Sequence, residues 1–173
     1  MNDTLVTIIA IFIAAILMFV FPLMTIADRN DDITQQAVQQ ETVEFVDKVR
    51  NVGAITQADL TEYKEKLSAL DHTFDTSIEV KVKDDNVGKK TTWTTSSVVG
   101  ENVYYSIYTE AIEEQIYGST GKYPLKEGDI VSVSSVNTDT TIAQSLRNAF
   151  YAIAGKGTYQ ISGSHAGVVQ NNG

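Results

Sequence analysis

The sequence predicts an α+β protein in which one long N-terminal transmembrane-plus-stalk helix carries a head of mostly antiparallel strands backed by helices. Three observations point there. From Leu5 to Ala27 no residue is charged and most are apolar. From Val38 to Val52 apolar residues recur at steps of four and three, the period of one helix face. Beyond Gly53, short stretches alternate apolar and polar, as strands with one buried face do, between further helical patterns. The chain divides accordingly into an anchor helix over 1–27, an amphipathic stalk over 28–52 and a head over 53–173.

The run LVTIIAIFIAAILMFVFPLMTIA is long enough, at ~1.5 Å rise per residue, to cross the ~30 Å hydrocarbon core of a bilayer. It exceeds the ~7–15 apolar residues of a cleavable signal peptide, and no Lys or Arg precedes it, so a retained anchor is expected. Pro22 falls inside the run. Proline removes one backbone hydrogen bond and predicts a kink there, which membrane helices tolerate. Only Arg29 follows the span closely, among Asp28, Asp31 and Asp32, so the positive-inside rule leaves orientation near a tie. Those aspartates lack the Gly and the distant bidentate Glu of a calcium loop and read as a solvated collar.

The stalk offers Val38, Phe45, Val46, Val49 and Val52 as its packing face, and Gly53 ends it. Thr56 and Asp59 have capping-box spacing, Ile55 and Leu60 staple spacing, and Leu60, Tyr63, Leu67 and Leu70 form the stripe of a helix that folds back on the stalk. Ser77–Val82 alternates as a strand, Asp84–Gly88 has turn chemistry, and Thr91–Val99 with Trp93 is the returning arm of a hairpin. Glu101–Tyr117 fits a helical period through Tyr104, Ile107, Tyr108, Ile112 and Ile116, with Gly118 as its terminator. Asp129–Val136 reads as a strand, with Ile130, Val131, Val133 and Val136 set among serines. Thr141 and Gln144 then cap a last helix with the stripe Ile142, Leu146, Ala149, Phe150 and Ile153, closed by Gly155. Thr158–Ser162 begins a final strand that extends towards Val169, ahead of a frayed QNNG end.

The formal net charge is −9 with no basic run, which argues against nucleic acid and against a polybasic clasp on anionic lipid. There is no cysteine, hence no disulfide and no thiolate metal site. Of the two histidines, neither His72 nor His165 lies in a metal-ligand spacing, and both read as surface or strand-edge residues. The serine of Gly163-Ser164-His165-Ala166-Gly167 is one place early for a nucleophile elbow. Gly155-Lys156-Gly157-Thr158 lacks the upstream strand and glycine of a phosphate loop. Glu113 and Glu114 fall on a polar helix face. No catalytic, cofactor-binding or metal-binding residue is assigned, no cofactor is implied, and an enzyme is not expected. The tyrosines of Glu101–Tyr117 read as core and rim packing, and Trp93 as a core or hairpin packing residue.

The uncharged N-terminal helix, the Pro22 within it and the amphipathic stalk under an α+β head resemble type IV pilins and pseudopilins. They are also similar to the TadE-like, single-span pilin-like proteins of tight-adherence (Tad/Flp) pilus loci. LMTIADRNDDITQQAVQQETVEFVDKVR beside the membrane and PLKEGDIVSV later are similar in character to small membrane proteins accompanying such loci in Gram-positive bacteria. The resemblance implies a membrane-anchored, pilin-like accessory or minor structural component of a Tad or type IV-related pilus or secretion assembly. Its head would be extracytoplasmic on the cell membrane. Its partners would be the lipid bilayer, other membrane proteins of the pilus or secretion machinery, and its own copies through the N-terminal helix. Two features depart from the pattern. No basic leader ending in Gly precedes the helix, and Leu5–Leu17 holds no acid where pilins carry a Glu. Asp3 is then the acid available to neutralise a neighbouring subunit's amine. Both departures favour an unprocessed accessory component over a major subunit. The alternative class is a membrane-tethered binding or sensory domain, with Trp93 and the tyrosines lining a ligand groove.

Overall fold

A computed structural model describes residues 2–83, 104–151 and 160–173. Helix α1 (Asn2–Val52) runs for 51 residues with Pro22 inside it, about 77 Å at ~1.5 Å per residue. Its surface changes character near Ala27. Below that point large apolar side chains such as Phe12, Met18 and Phe19 are exposed, and above it one face, Val38, Thr42, Phe45, Val46 and Val49, is buried. Burying each of the valines contributes roughly 1.5–3 kcal/mol. The expected packing face is therefore the one the head covers, with a correction at Val52, which is 51% exposed. It is the last helical residue, and at Gly53 (φ +78°) the chain turns away into the head.

Strand β1 (Ala54–Thr56) pairs antiparallel with β4 (Lys122–Pro124), a ladder too short for any alternation to announce. Helix α2 (Gln57–Ser68) has the expected cap: Thr56 Oγ1 accepts from the Asp59 N–H at 3.1 Å and donates to the Asp59 carboxylate at 2.6 Å. Lys48 reaches Asp59, Phe45 stacks on Tyr63 and Lys66 reaches Glu41. Partners descend α1 as they ascend α2, so the two helices are antiparallel.

The main sheet has the order β3-β2-β5-β6, every pair antiparallel: β3 is Tyr104–Tyr108, β2 Phe74–Lys83, β5 Ile130–Asn137 and β6 Ser162–Val168. Ile78 lies opposite Val133 and Val80 opposite Val131, all four buried on the face that α1 crosses. The other face carries Glu79, Lys81, Ser132 and Ser134. Leu60, Tyr63 and Leu67 of α2, Ile112 and Ile116 of the segment after β3, and Ile55, Tyr123, Leu125, Ile161 and Val169 join the same core.

Several expectations need correction. Within the expected helix over Glu101–Tyr117, Tyr104–Tyr108 is strand β3, and only Thr109–Gln115 (α3) is α-helical before a π-helical turn over Ile116–Thr120. Tyr and Ile favour strands, and β2 offers an edge: Ile107 pairs with Val80 and Tyr105 with Val82. The terminator is Gly121 (φ +68°), not Gly118. In β5, Val131, Val133, Ser135 and Asn137 share the buried face, while Ile130 and Val136 lie on the other. In helix α4 (Ile142–Tyr151) it is Ala143 that is buried, and Ile142 is 75% exposed. The QNNG end is tied down. Gln170 N–H donates to Arg50 C=O at 3.1 Å and Asn171 Nδ2 to Asn51 C=O at 2.7 Å, so the tail caps the last carbonyls of α1. The expected arm Thr91–Val99 with Trp93, the Asp84–Gly88 turn, Ile153, Gly155 and Thr158 lie outside the described residues.

Candidate functional site

The candidate site is α1 itself, with the two structures that fix it to the head. The first is a clasp along β6, an outer strand of the sheet. Outer strands leave a row of backbone groups without ladder partners. Here Gln35 and Gln39 supply them. Gln39 Nε2 donates to Ser164 C=O at 3.0 Å, and Ser164 N–H donates to Gln39 Oε1 at 3.1 Å. Gln35 repeats the exchange with Ser162, whose N–H donates to Oε1 at 2.8 Å and whose C=O accepts from Nε2. The spacing works because four helical residues advance ~6 Å and two strand residues ~6.7 Å. Arg50 Nε extends the clasp to Val168 C=O at 2.8 Å.

The clasp needs close approach, and glycine provides it. A Cβ on Gly163 would sit 2.8 Å from Val38 Cγ1 and 2.8 Å from the Val38 carbonyl oxygen; on Gly167 it would sit 2.3 Å from Arg50 Cδ. Behind it, a chain of hydroxyls joins four elements: Thr42, Tyr63, Ser135 and Thr76, each step 2.8 Å. Thr42 spends its proton on Val38 C=O at 2.7 Å, so it accepts from Tyr63, which accepts from Ser135, which accepts from Thr76. Burial outweighs these hydrogen bonds and pushes the Tyr63 hydroxyl up, so it stays protonated. Asn137, next on the same face, is fully buried with neither side-chain amide atom hydrogen-bonded among the described residues.

The second structure is a joint at the base of the head. Asp31, expected in a solvated collar, is 2% exposed, while Asp32 is exposed. Its carboxylate accepts from Thr141 Oγ1 at 2.8 Å, and the same oxygen accepts from Gln144 N–H at 3.1 Å as the N-cap of α4. Thr141 N–H returns to Gln144 Oε1 at 3.1 Å, completing the expected capping box. Asp31 thus places a carboxylate at the positive end of α4 and pins that helix to α1.

Charge fixes α2 to α1. Lys48 lies 2.7 Å from Asp59 and 3.0 Å from Glu62. Partial burial works against the charge on Asp59, but hydrogen bonds from Lys48 and Thr56 win and hold its carboxyl below the usual range. Glu62 is also held low, mainly by its hydrogen bond from Lys48, and Lys48 itself is raised, mainly by Asp59.

The histidines are far apart in the fold. His72 Nδ1 is 3.2 Å from Asp139 at the base of the head, and His165 Nε2 is 3.9 Å from Asp47 beside α1. Glu113 is engaged by Lys64 at 2.7 Å. No group of three metal-ligating side chains occurs among the described residues. Asp3 is exposed in the first turn of α1, and its carbonyl accepts from Thr7 Oγ1 at 2.7 Å. Tyr63 is packed as expected and Tyr123 is buried as well, whereas Tyr105, Tyr108 and Tyr117 are exposed. Sequence reasoning missed Gln35, Gln39, Asp31 and the two glycines of β6; only the four-residue repeat of glutamines on one helix face signalled any of them.

One helix of the described chain, α1, is long and apolar enough to span a membrane. No family model, no curated protein and no solved structure matches the chain.

Proposed function

We propose that this chain is a membrane-anchored, pilin-like accessory or minor structural component of a Tad or type IV-related pilus or secretion assembly, with its head on the extracytoplasmic side. The observation that supports the reading is α1: one helix is bare and apolar below Ala27 and is a core helix of the head above it. Such an element passes displacement between membrane and head through the Gln35–Gln39 clasp and the Asp31–Thr141 joint, with no flexible linker to absorb it. The bare half packs against lipid or against other apolar helices of the assembly. In-cell crosslinking of a tagged full-length copy is the test. Recovery of pilus-machinery proteins, with altered piliation on deletion, is expected; neither result appearing would end the proposal. The alternative, a tethered binding domain, draws on the exposed tyrosines. Tyr105 and Tyr108 stand on opposite faces of β3, however, and do not form one platform.

A further inference from the structure

We infer that α4 is a second membrane-contact element of this protein, lying at the headgroup and upper acyl level beside α1, and that bilayer lipid fills the groove between the two helices. The inference rests on the reading of the apolar half of α1 as membrane-embedded. Helix α4 starts at the Asp31–Thr141 joint, four residues beyond the end of the apolar run. From there it shares with α1 a groove of ≈ 670 Å³ whose apolar wall is Leu23, Ile26, Ile142, Ala143 and Leu146. Leu23 lies eight residues below Asp31, so the groove descends about 12 Å towards the span. Its upper rim is polar, with Asn30, His72, Asp139 and Thr140. Apolar walls below a polar rim fit an amphiphile.

Two observations identify the bilayer as the occupant. Ile142 is 75% exposed at the first turn of α4 while its neighbour Ala143 is fully buried, so the helix turns an apolar side chain outward. The groove is also continuous with α1's own lipid-facing surface: Leu23 and Ile26 line the one and belong to the other. An amphipathic helix placed at the end of a span lies in the interface plane with its apolar face in the acyl boundary.

The test uses the full chain, which has no native cysteine, reconstituted into phosphatidylcholine vesicles. Single variants Ile142→Cys, Phe12→Cys and Thr61→Cys carry an environment-sensitive fluorophore, and the vesicles carry lipid with a nitroxide near the headgroup end of its acyl chain. Thr61 is exposed on α2, near the level of Lys48, about 30 Å beyond Ala27 along α1. The expected result is blue-shifted emission and strong nitroxide quenching at Ile142, with Thr61 unquenched and open to aqueous iodide. Quenching at Phe12 but iodide access at Ile142 overturns the inference and leaves the anchor standing. No nitroxide quenching at Phe12 overturns both. Excimer or energy transfer between Ile142 labels on two copies, without nitroxide quenching, assigns the face to self-association and also overturns it.

Discussion

Replacing Gly163 with alanine tests the clasp at its tightest point. The new Cβ would meet Val38 Cγ1 and the Val38 carbonyl oxygen at 2.8 Å and Thr42 Oγ1 at 2.9 Å, where ordinary contact is ~3.5–4.0 Å. Neither oxygen can yield. One is backbone, and the other is held between Val38 C=O and Tyr63. The methyl group must therefore push β6 and α1 apart by several tenths of an ångström. Overpacking of this kind costs ~1–3 kcal/mol, and replacing a strand glycine by alanine returns ~0.5–1 kcal/mol. The net loss is about 1–2 kcal/mol, which lowers Tm by about 2–8 °C for a domain of this size. Thermal unfolding of the detergent-solubilised chain, followed by circular dichroism, reads it directly. Gly118→Ala is the control, because a Cβ there meets nothing within 4 Å, and it should leave Tm unchanged or slightly raised. If Gly163→Ala melts at or above the parent temperature, α1 does not seat on β6 as described.

Gln35→Leu with Gln39→Leu should speed hydrogen exchange at Ser162 and Ser164 selectively and cost ~1 kcal/mol per lost hydrogen-bonded pair; unchanged exchange would place the β6 edge elsewhere. The folded carboxyls of Asp59 and Glu62 sit below their ordinary values. Their contribution is therefore complete above the unfolded carboxylate range and lost as pH falls through the folded values, below about pH 4. A pH titration of stability should fall there more steeply in the parent than in Lys48→Met, and equal slopes would refute the pairing. Asn137→Leu removes from the core an amide that has no side-chain hydrogen-bond partner among the described residues and should stabilise the head by ~1–2 kcal/mol in denaturant unfolding; destabilisation would mean that the amide has a partner.

Long elements with one strong period were legible in the sequence: the apolar run, the stalk face from Val38 to Val49, and the alternation of β2. Caps were legible too, since Thr56–Asp59 and Thr141–Gln144 are local chemistry. Tyr104–Tyr108 misled because Tyr104, Ile107 and Tyr108 satisfy a helical spacing, and the partner that decides the matter is β2. Asp31 is buried by a threonine 110 residues away, and Gln35 and Gln39 meet strand atoms more than 120 residues away. No local pattern reports such pairings. The tail was read as frayed for the same reason: its fixing point is the far end of α1.

The proposed anchor requires α1 to be one helix, lipid-buried below and head-buried above. Labelling single-cysteine variants of this cysteine-free chain with an impermeant maleimide on intact cells tests it most directly. Ile8→Cys, Ile13→Cys and Phe19→Cys should stay unlabelled and Gln36→Cys and Gln40→Cys should label. Val38→Cys and Val46→Cys should label only after denaturation, since both are fully buried. Labelling at Ile8 and Ile13, or Val46 reacting as fast as Gln40 in the native protein, would contradict it.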